Sequence, residues 1–269
     1  MWIDTHCHLD AAEFGGRQAQ LVAQAAAAGV SCIVVPAVAP SNFDAVASLS
    51  AADARCVHAL GIHPLYVAEA READLARLRA AAARAMPDPR FVAIGEIGLD
   101  FFVPELRDGP LRDKQEFFFA EQLKIAREFE LPVLLHVRRA QDVVLKHLRR
   151  IGVAGGIAHA FNGSFQQAQR FIEFGFRLGF GGAMTYPRAL QIRRLASQLP
   201  LGAIVLETDA PDIAPSWLHP APNRPDQIPR IGVTLAALRG LLPEQVAEHT
   251  GANAAAAIPR LAQALGNPR

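Results

Sequence analysis

The chain has 269 residues, of which 51% are hydrophobic, and its 27 Lys and Arg against 26 Asp and Glu give a formal net charge of +1. About 250 residues is typical of one (β/α)8 barrel, and a balanced charge gives no overall reason to expect binding to nucleic acid or membranes. The uncharged stretch 18–43 is broken by glutamine, glycine and proline, and the N-terminus lacks the basic start of a signal peptide. We therefore expect a cytoplasmic protein with a single domain over residues 1–269.

Eight short apolar or β-branched runs alternate with longer stretches of helical periodicity. The strand-like runs are 2–6, 32–37, 56–61, 91–96, 132–136, 155–159, 176–181 and 203–208. Ser164 and Gln167 have the spacing of a capping box, and Gly29 and Gly152 stand just beyond predicted helix ends. Strands that are apolar on both faces and alternate with helices predict a parallel sheet covered by helices.

Polar residues follow five of these strand-like runs. His6 and His8 end the first, and because strand side chains alternate, both point one way while Cys7 points the other. The other strand-end candidates are Glu96, His136, His159 and Asp209. An open doubly wound sheet brings only two or three strands to a site, whereas a closed barrel brings all its strand ends together. The sequence therefore predicts an α/β fold, a (β/α)8 TIM-type barrel, with 211–229 as a loop and 243–257 as a closing helix.

Each candidate has an ordinary structural explanation when it is taken alone. A lone HxH pair is weak evidence, a single histidine often lies satisfied in a core, and Asp209 could cap the turn that follows it. Five such strand ends in one chain favour a metal site instead. The six ligands exceed the three that a catalytic zinc ion usually takes, which indicates two divalent ions. We expect Glu96 to bridge them.

The remaining ligands divide between the two predicted ions. His6, His8 and Asp209 are expected to complete the shell of one ion, and His136 and His159 that of the other. Imidazole ligands suit Zn, Mn or Co, and Mg stays a fourth candidate.

Several motifs together resemble the TatD family of metal-dependent deoxyribonucleases, which belongs to the amidohydrolase-like barrels. The matching stretches are DTHCHLD at 4–10, GIHP at 61–64, GEIGLDF at 95–101, the helix 115–122, LPVLLHVR at 131–138, HAFNG at 159–163, LETDAP at 206–211 and NRPDQIPRI at 223–231. The resemblance spans nearly the whole chain and implies that all six candidates are metal ligands. It also implies that Asp209 is catalytic, and we place the bridging Glu96 with it. The GLDFF segment departs from the family, where many members have an aromatic pair containing tyrosine.

A mechanism follows as a hypothesis. A water activated by the metals attacks a phosphodiester, while Asp209 orients that water and accepts its proton. His63 in GIHP is expected either to bind a substrate phosphate or to shape a turn. Arg138 is expected either to clamp a phosphate or to form a salt bridge on the barrel rim. Asp100 and Asn162 are expected to orient ligands.

Three functions compete at this stage. The leading one is a deoxyribonuclease that acts on the ends of single strands, with DNA or another phosphodiester as its partner and neither a membrane nor an obligate protein partner. The second is a hydrolase of small esters, amides or lactones on the same two-metal site. The third is a metal-binding scaffold without turnover. A basic rim near Arg138, Arg188 and Arg224 would favour the nuclease, and a narrow apolar pocket would favour the small-molecule enzyme.

Overall fold

The computed structural model describes residues 1–266. Its strands are β1 (Trp2–Asp4), β2 (Val30–Pro36), β3 (Cys56–Leu60), β4 (Phe91–Asp100), β5 (Val133–Arg138), β6 (Gly156–Ala158), β7 (Phe176–Phe180) and β8 (Ile204–Leu206). Its helices are α1 (Gln18–Ala27), α2 (Phe43–Ala52), α3 (Glu72–Ala85), α4 (Pro104–Arg107), α5 (Gly109–Glu128), α6 (Gln141–Ile151), α7 (Phe165–Glu173), α8 (Leu190–Gln198), α9 (Ile228–Arg239), α10 (Pro243–Ala257) and α11 (Arg260–Gly266).

The eight strands form one parallel sheet in sequence order, and its two edges meet. Each strand from β1 to β8 pairs with the next. Backbone hydrogen bonds join the first strand to the last, since the N–H of Thr5 donates to the carbonyl of Leu206 and that of Asp209 to the carbonyl of His6. This seam closes the sheet into the predicted (β/α)8 barrel.

The barrel is filled and covered by apolar side chains on both sides of the sheet. Inside it, Val34, Val57 and Leu134 pack with other strand residues, with Ile258 just after α10 and with Leu261 of α11. α10 and α11 cover the end of the barrel where the strands begin. The polar residues that follow the strands therefore lie at the opposite end of the barrel, which is open to solvent. Burial of this apolar surface on both faces supplies the main stabilisation of the fold.

Most predicted elements are confirmed, with differences at strand ends that concern the site: β1 ends at Asp4 rather than at residue 6, and β8 at Leu206 rather than at residue 208. The capping box at Ser164 forms, and Gly29 and Gly152 follow the ends of α1 and α6. The prediction that β4 ends at Glu96 is wrong, because the strand continues to Asp100. The pairing register of β4 with β5 shifts between Ile94 and Ile97, and such a bulge redirects the side chains within it.

Residues 267–269 fall outside the described residues, so the single domain over 1–269 stays a prediction. Within residues 1–266, every helix is too short or too polar to span a lipid bilayer.

Candidate metal centre

The carboxylate of Glu96 lies at the centre of the cluster, with histidines against both of its oxygens. Oε2 is 3.1 Å from Nε2 of His6 and 3.3 Å from Nε2 of His8. Oε1 is 2.9 Å from Nδ1 of His136 and 3.4 Å from Nε2 of His159. Glu96 is 1% exposed, and the shift of register in β4 places it in the barrel mouth. Nε2 of His63 lies 3.3 Å from Oε1 as well, so Oε1 faces three imidazoles and Oε2 faces two.

The two histidines after β1 reach Glu96 because the chain stays extended there. His6 and His8 place their Nε2 atoms 3.3 Å apart, while Cys7 between them packs into the apolar layer beneath the helices. This alternation was predicted from the strand pattern and is confirmed. Asp209 joins the same side of the cluster, since its Oδ1 is 3.8 Å from Nε2 of His6 and 3.7 Å from that of His8.

His136 is oriented by a carboxylate that also follows from the length of β4. Its Nε2 lies 3.0 Å from Oδ2 of Asp100, the last residue of that strand. The other oxygen of Asp100 accepts hydrogen bonds from the backbone N–H groups of Phe102 and Val103. If Nε2 carries the proton that Asp100 accepts, Nδ1 of a neutral His136 presents a lone pair to the centre. The structure thus places Asp100 where an orienting residue was predicted.

His63 also enters the cluster, although it follows β3 and was predicted to bind substrate or shape a turn. Its Nε2 is 3.3 Å from Oε1 of Glu96 and 3.0 Å from Nδ1 of His136. Its Nδ1 accepts a hydrogen bond from the backbone N–H of Leu65. In neutral His63 the proton is therefore on Nε2, so this ring aims a donor at the centre rather than a lone pair.

Two buried carboxylates beside the cluster were missed by the sequence reasoning. Oε1 of Glu207 lies 3.5 Å from Nδ1 of His159 and accepts a hydrogen bond from the N–H of Ala160. Asp4 accepts hydrogen bonds from the N–H and the hydroxyl of Thr208 across the barrel seam. The available signal was strand alternation, because Asp4 is two residues before His6 and Glu207 two residues before Asp209.

Glu207 fits beside His159 because its neighbour on β7 is a glycine. A Cβ atom at Gly179 would lie 2.0 Å from Oε2 of Glu207. Any larger residue at this position would displace the carboxylate. Glycine is therefore required at position 179 because the carboxylate of Glu207 occupies the space of a side chain, and not because of the backbone conformation of Gly179.

A cleft of about 1530 Å³ opens over the cluster and carries the rest of the predicted site. Arg138 is 51% exposed on its rim, with Nη1 3.9 Å from Oδ2 of Asp100. The side chain of Asn162 is exposed in the same cleft and makes no hydrogen bond within residues 1–266, so its predicted orienting role finds no contact there.

The rim itself is charged, but only part of it is basic. Arg188 and Arg224 do not line the cleft, so the basic rim that would favour a nuclease rests on Arg138 and Arg139. Asp10, Glu13 and Asp212 line other parts of the rim.

The electrostatics keep the central carboxylate charged. Burial alone raises the pKa of Glu96, but His63, His6 and His159 around it outweigh burial and hold the pKa well below its usual range. Burial lowers the pKa of His6 to about 3, so this ring is neutral at pH 7. Burial also raises the pKa of Asp209 to about 6. The centre therefore combines an ionised carboxylate with at least one neutral imidazole.

The donor set fits divalent metal ions. Donors about 2.0–2.1 Å from a tetrahedral ion lie about 3.4 Å from one another, close to the 3.3 Å between the Nε2 atoms of His6 and His8. Without a cation, the buried ring nitrogens face each other and one carboxylate, which can satisfy only some of them. Nitrogen and oxygen donors without thiolate suit Zn, Mn, Co or Mg. The geometry shows that these groups are able to bind metal.

Comparison with known proteins agrees with this centre. The family model described as "TatD related DNase" matches residues 3–259. A protein of Escherichia coli K12 described as the uncharacterized metal-dependent hydrolase YjjV is 40% identical over 248 residues, which are 92% of this chain and 93% of that protein. The crystal structure of E. coli YjjV, a TatD homologue, has a TM-score of 0.90 at 39% identity and covers 96% of this chain and 98% of its own.

A further relative carries a name that states an activity. The "3'-5' ssDNA/RNA exonuclease TatD" of Cronobacter sakazakii is 33% identical over 259 residues, or 94% of this chain and 95% of that protein. The chain belongs to the TatD family and is a metal-dependent hydrolase.

Proposed function

We propose that this protein is a deoxyribonuclease that hydrolyses phosphodiester bonds at the ends of single strands with two divalent ions. The observation that carries the proposal is the placement of Glu96. Its Oε2 faces His6 and His8 and its Oε1 faces His63, His136 and His159, at the floor of a large cleft with an exposed arginine, Arg138, on the rim. That arrangement suits two cations held by one bridging carboxylate.

The chain's own residues divide into two ligand sets. His6, His8 and Asp209 would hold one ion, His136 and His159 the other, and Glu96 both. Divalent ions at these positions would supply Lewis acidity, which lowers the pKa of a water and offsets the charge that develops on phosphate oxygens. Asp100 keeps Nδ1 of His136 turned toward Glu96, and Glu207 lies where it can do the same for His159.

Asp209 is the residue that we propose to orient the attacking water and to accept its proton. Its side chain is 14% exposed, whereas Glu96 is 1% exposed, so Asp209 is the carboxylate that a water in the cleft can reach. Its backbone φ of +59° lies in the left-handed region, which is uncommon for residues other than glycine. Such conformations occur where the surrounding structure holds a functional residue in place.

His63 and Arg138 are the residues that we propose to bind the substrate. Nε2–H of His63 lies 3.0 Å from Nδ1 of His136 and 3.3 Å from Oε1 of Glu96, and it can donate to a phosphate oxygen placed beside these atoms. The planar guanidinium of Arg138 suits bidentate binding of a phosphate. Both donate hydrogen bonds to negative oxygens, which is the chemistry that a phosphodiester requires.

The size of the cleft favours a polymeric substrate over a small molecule. Its volume of about 1530 Å³ exceeds the roughly 300–1,000 Å³ of pockets that enclose small molecules. A nucleic-acid strand can extend along such a cleft with its backbone on the side of Arg138. The name of the C. sakazakii relative, a 3'-5' ssDNA/RNA exonuclease, supports single-stranded ends as the substrate.

The proposal also includes a cytoplasmic location and one domain. The three cysteines, Cys7, Cys32 and Cys56, are buried and unpaired, as is usual in a reducing compartment.

The testing experiment compares two substrate classes with metal-loaded protein. Single-stranded DNA labelled at either end is incubated beside a panel of small phosphodiesters, esters, amides and lactones. His136→Ala and Asp209→Asn serve as inactive controls, and Arg188→Gln serves as a control outside the cleft. The proposal expects progressive shortening of the DNA that both inactive variants lose. Intact DNA together with turnover of a small ester, amide or lactone would establish the alternative hydrolase instead.

A further inference from the structure

We propose that Arg138, Arg139 and Phe102 form a binding site for a second substrate phosphate, next to the one whose bond is hydrolysed. The inference rests on the proposed function and narrows its substrate to strands with at least two phosphates. We call these three residues the arginine shelf. All three line the cleft.

The shelf consists of two guanidinium groups on one aromatic ring. The guanidinium carbon of Arg138 lies 3.7 Å from the centre of the Phe102 ring, and that of Arg139 lies 4.7 Å from it. Cation–π contact of this kind holds a flexible arginine in a fixed place without neutralising its charge. The ring is 43% exposed, so the shelf is part of the cleft surface rather than of the core.

The local backbone explains how two consecutive arginines reach one ring. Side chains along β5 alternate, so Arg139 would point away from Arg138 if the strand continued. Instead β5 ends at Arg138, and Arg139 has a φ of +56° in the left-handed region. This conformation is uncommon for a residue with a Cβ atom. The chain adopts it at the point where it brings the second guanidinium over Phe102.

Among the described residues, the two positive charges share one nearby carboxylate, that of Asp100. Within residues 1–266, no carboxylate lies within 4.0 Å of the guanidinium of Arg139. Arg138 has only Asp100 at 3.9 Å, and the same oxygen of Asp100 lies 3.0 Å from Nε2 of His136. Two like charges side by side repel each other, and an anion with several oxygens relieves that repulsion. A phosphate diester fits, because each guanidinium can donate to its own oxygen.

The position of the shelf assigns it to a neighbouring phosphate. Glu96 contacts His136, His136 contacts Asp100, and Asp100 in turn contacts Arg138. The side chains of His136 and Asp100 separate the guanidinium groups from the central carboxylate. A phosphate on the shelf is therefore a different one from the phosphate beside Glu96, and both belong to one strand that lies along the cleft.

The test compares dithymidine monophosphate, TpT, with the trimer TpTpT. Both offer the same bond type, and only the trimer has a second phosphate. The wild type should prefer the trimer in kcat/KM. In Arg139→Gln and in Phe102→Leu, the ratio of the two kcat/KM values should fall about tenfold, through the KM for the trimer, since a charge-assisted hydrogen bond is lost. Phe117→Leu is the matched control, because Phe117 is 42% exposed on α5 and does not line the cleft.

A binding measurement separates failure of the shelf from failure of the proposed function. Fluorescein-labelled dT10 is titrated with metal-loaded Asp209→Asn protein at several salt concentrations, followed by anisotropy. Adding Arg139→Gln should reduce the slope of log K against log salt by about 0.7, as expected for one lost phosphate contact on a single strand. Arg149→Gln, on α6 outside the cleft, should leave the slope as it is.

Two results would refute the arginine shelf as a phosphate-binding site, and a third would refute only the hydrolysis proposal. An unchanged trimer preference in Arg139→Gln and Phe102→Leu would refute it while the nuclease stands. An unchanged salt slope would refute it as well. If the wild type cleaves neither substrate but Arg139→Gln still lowers the slope, the hydrolysis proposal fails and the shelf is supported as a phosphate site.

Discussion

Nε2 of His136 lies 3.0 Å from Oδ2 of Asp100, whose other oxygen, Oδ1, accepts hydrogen bonds from two backbone N–H groups. This contact turns Nδ1 of His136 toward Glu96 and fixes which ring nitrogen can bind a cation. Asp100 is fully buried, so its orientation does not depend on solvent.

Asp100→Ala should weaken metal binding, because His136 loses the acceptor that fixes its ring. Loss of such an orienting partner typically lowers metal affinity about 10–100-fold. Competition with a chelator of known affinity measures the effect, and excess metal should restore part of the activity. Asp113→Ala, at a carboxylate on α5 that lies outside the cleft, is the control. Equal affinity of Asp100→Ala and wild type would show that Asp100 does not position His136.

Gly179→Ala should lower activity strongly while the barrel still folds. The added methyl would lie 2.0 Å from Oε2 of Glu207, so the carboxylate must leave its place beside His159. Steady-state kinetics and metal affinity are measured together with a thermal melt. Gly202→Ala is the matched control, because a Cβ there meets nothing within 4 Å. Normal metal affinity in Gly179→Ala would mean that Glu207 has no part in the centre.

Thr208→Val should destabilise the seam between β1 and β8. The hydroxyl of Thr208 donates to Asp4 at 2.6 Å, and valine keeps the shape but leaves a buried carboxylate oxygen without that donor. The expected loss is about 1–3 kcal/mol in the free energy of unfolding. Urea denaturation measures it against Thr234→Val, where the hydroxyl is exposed. Equal losses in the two variants would refute a special role of the seam contact.

The buried imidazole of His58 should make the stability of the fold vary with pH, without any contribution from the metal centre. Burial lowers the pKa of His58 from 6.5 to about 4, and Ser50 and Phe91 pack against its ring. Between pH 6.5 and 4 the unfolded chain binds a proton that folded His58 does not, so this contribution is present above pH 6.5 and is lost as pH falls. At pH 4 the loss reaches about 3 kcal/mol.

The His58 prediction is measured as a difference between two proteins. The free energy of unfolding of the wild type is compared with that of His58→Gln from pH 7.5 to 4. Groups in the metal centre titrate in both proteins and cancel in the comparison. The difference should shift by about 3 kcal/mol toward the variant at low pH, and a difference that is constant with pH would contradict the prediction.

The barrel and the cluster were accessible from sequence because both rest on periodicity. Alternation placed His6 and His8 on one face, and the strand order brought Glu96, His136 and Asp209 to one end of the sheet. Contacts that depend on irregular backbone geometry could not be predicted from the sequence. The bulge that sets Glu96 inside β4 leaves no pattern in the residues, so β4 was predicted to end four residues too early.

The tautomer of His63 and the shelf at Arg139 were hidden for the same reason. The role of His63 depends on the N–H of Leu65, and the place of Arg139 depends on a left-handed residue at the end of β5. Neither follows from residue type or spacing. Local hydrogen bonds and single dihedral angles decide both.

The most direct test of the account is a metal titration of the metal-free protein, read out as hydrolysis of end-labelled single-stranded DNA. Because the two oxygens of Glu96 are proposed to serve two ions, activity should remain low up to one equivalent and rise to its full value with the second. In Glu96→Ala the protein should bind fewer ions and stay inactive. Full activity at one equivalent of metal, or intact DNA at two, would contradict the account.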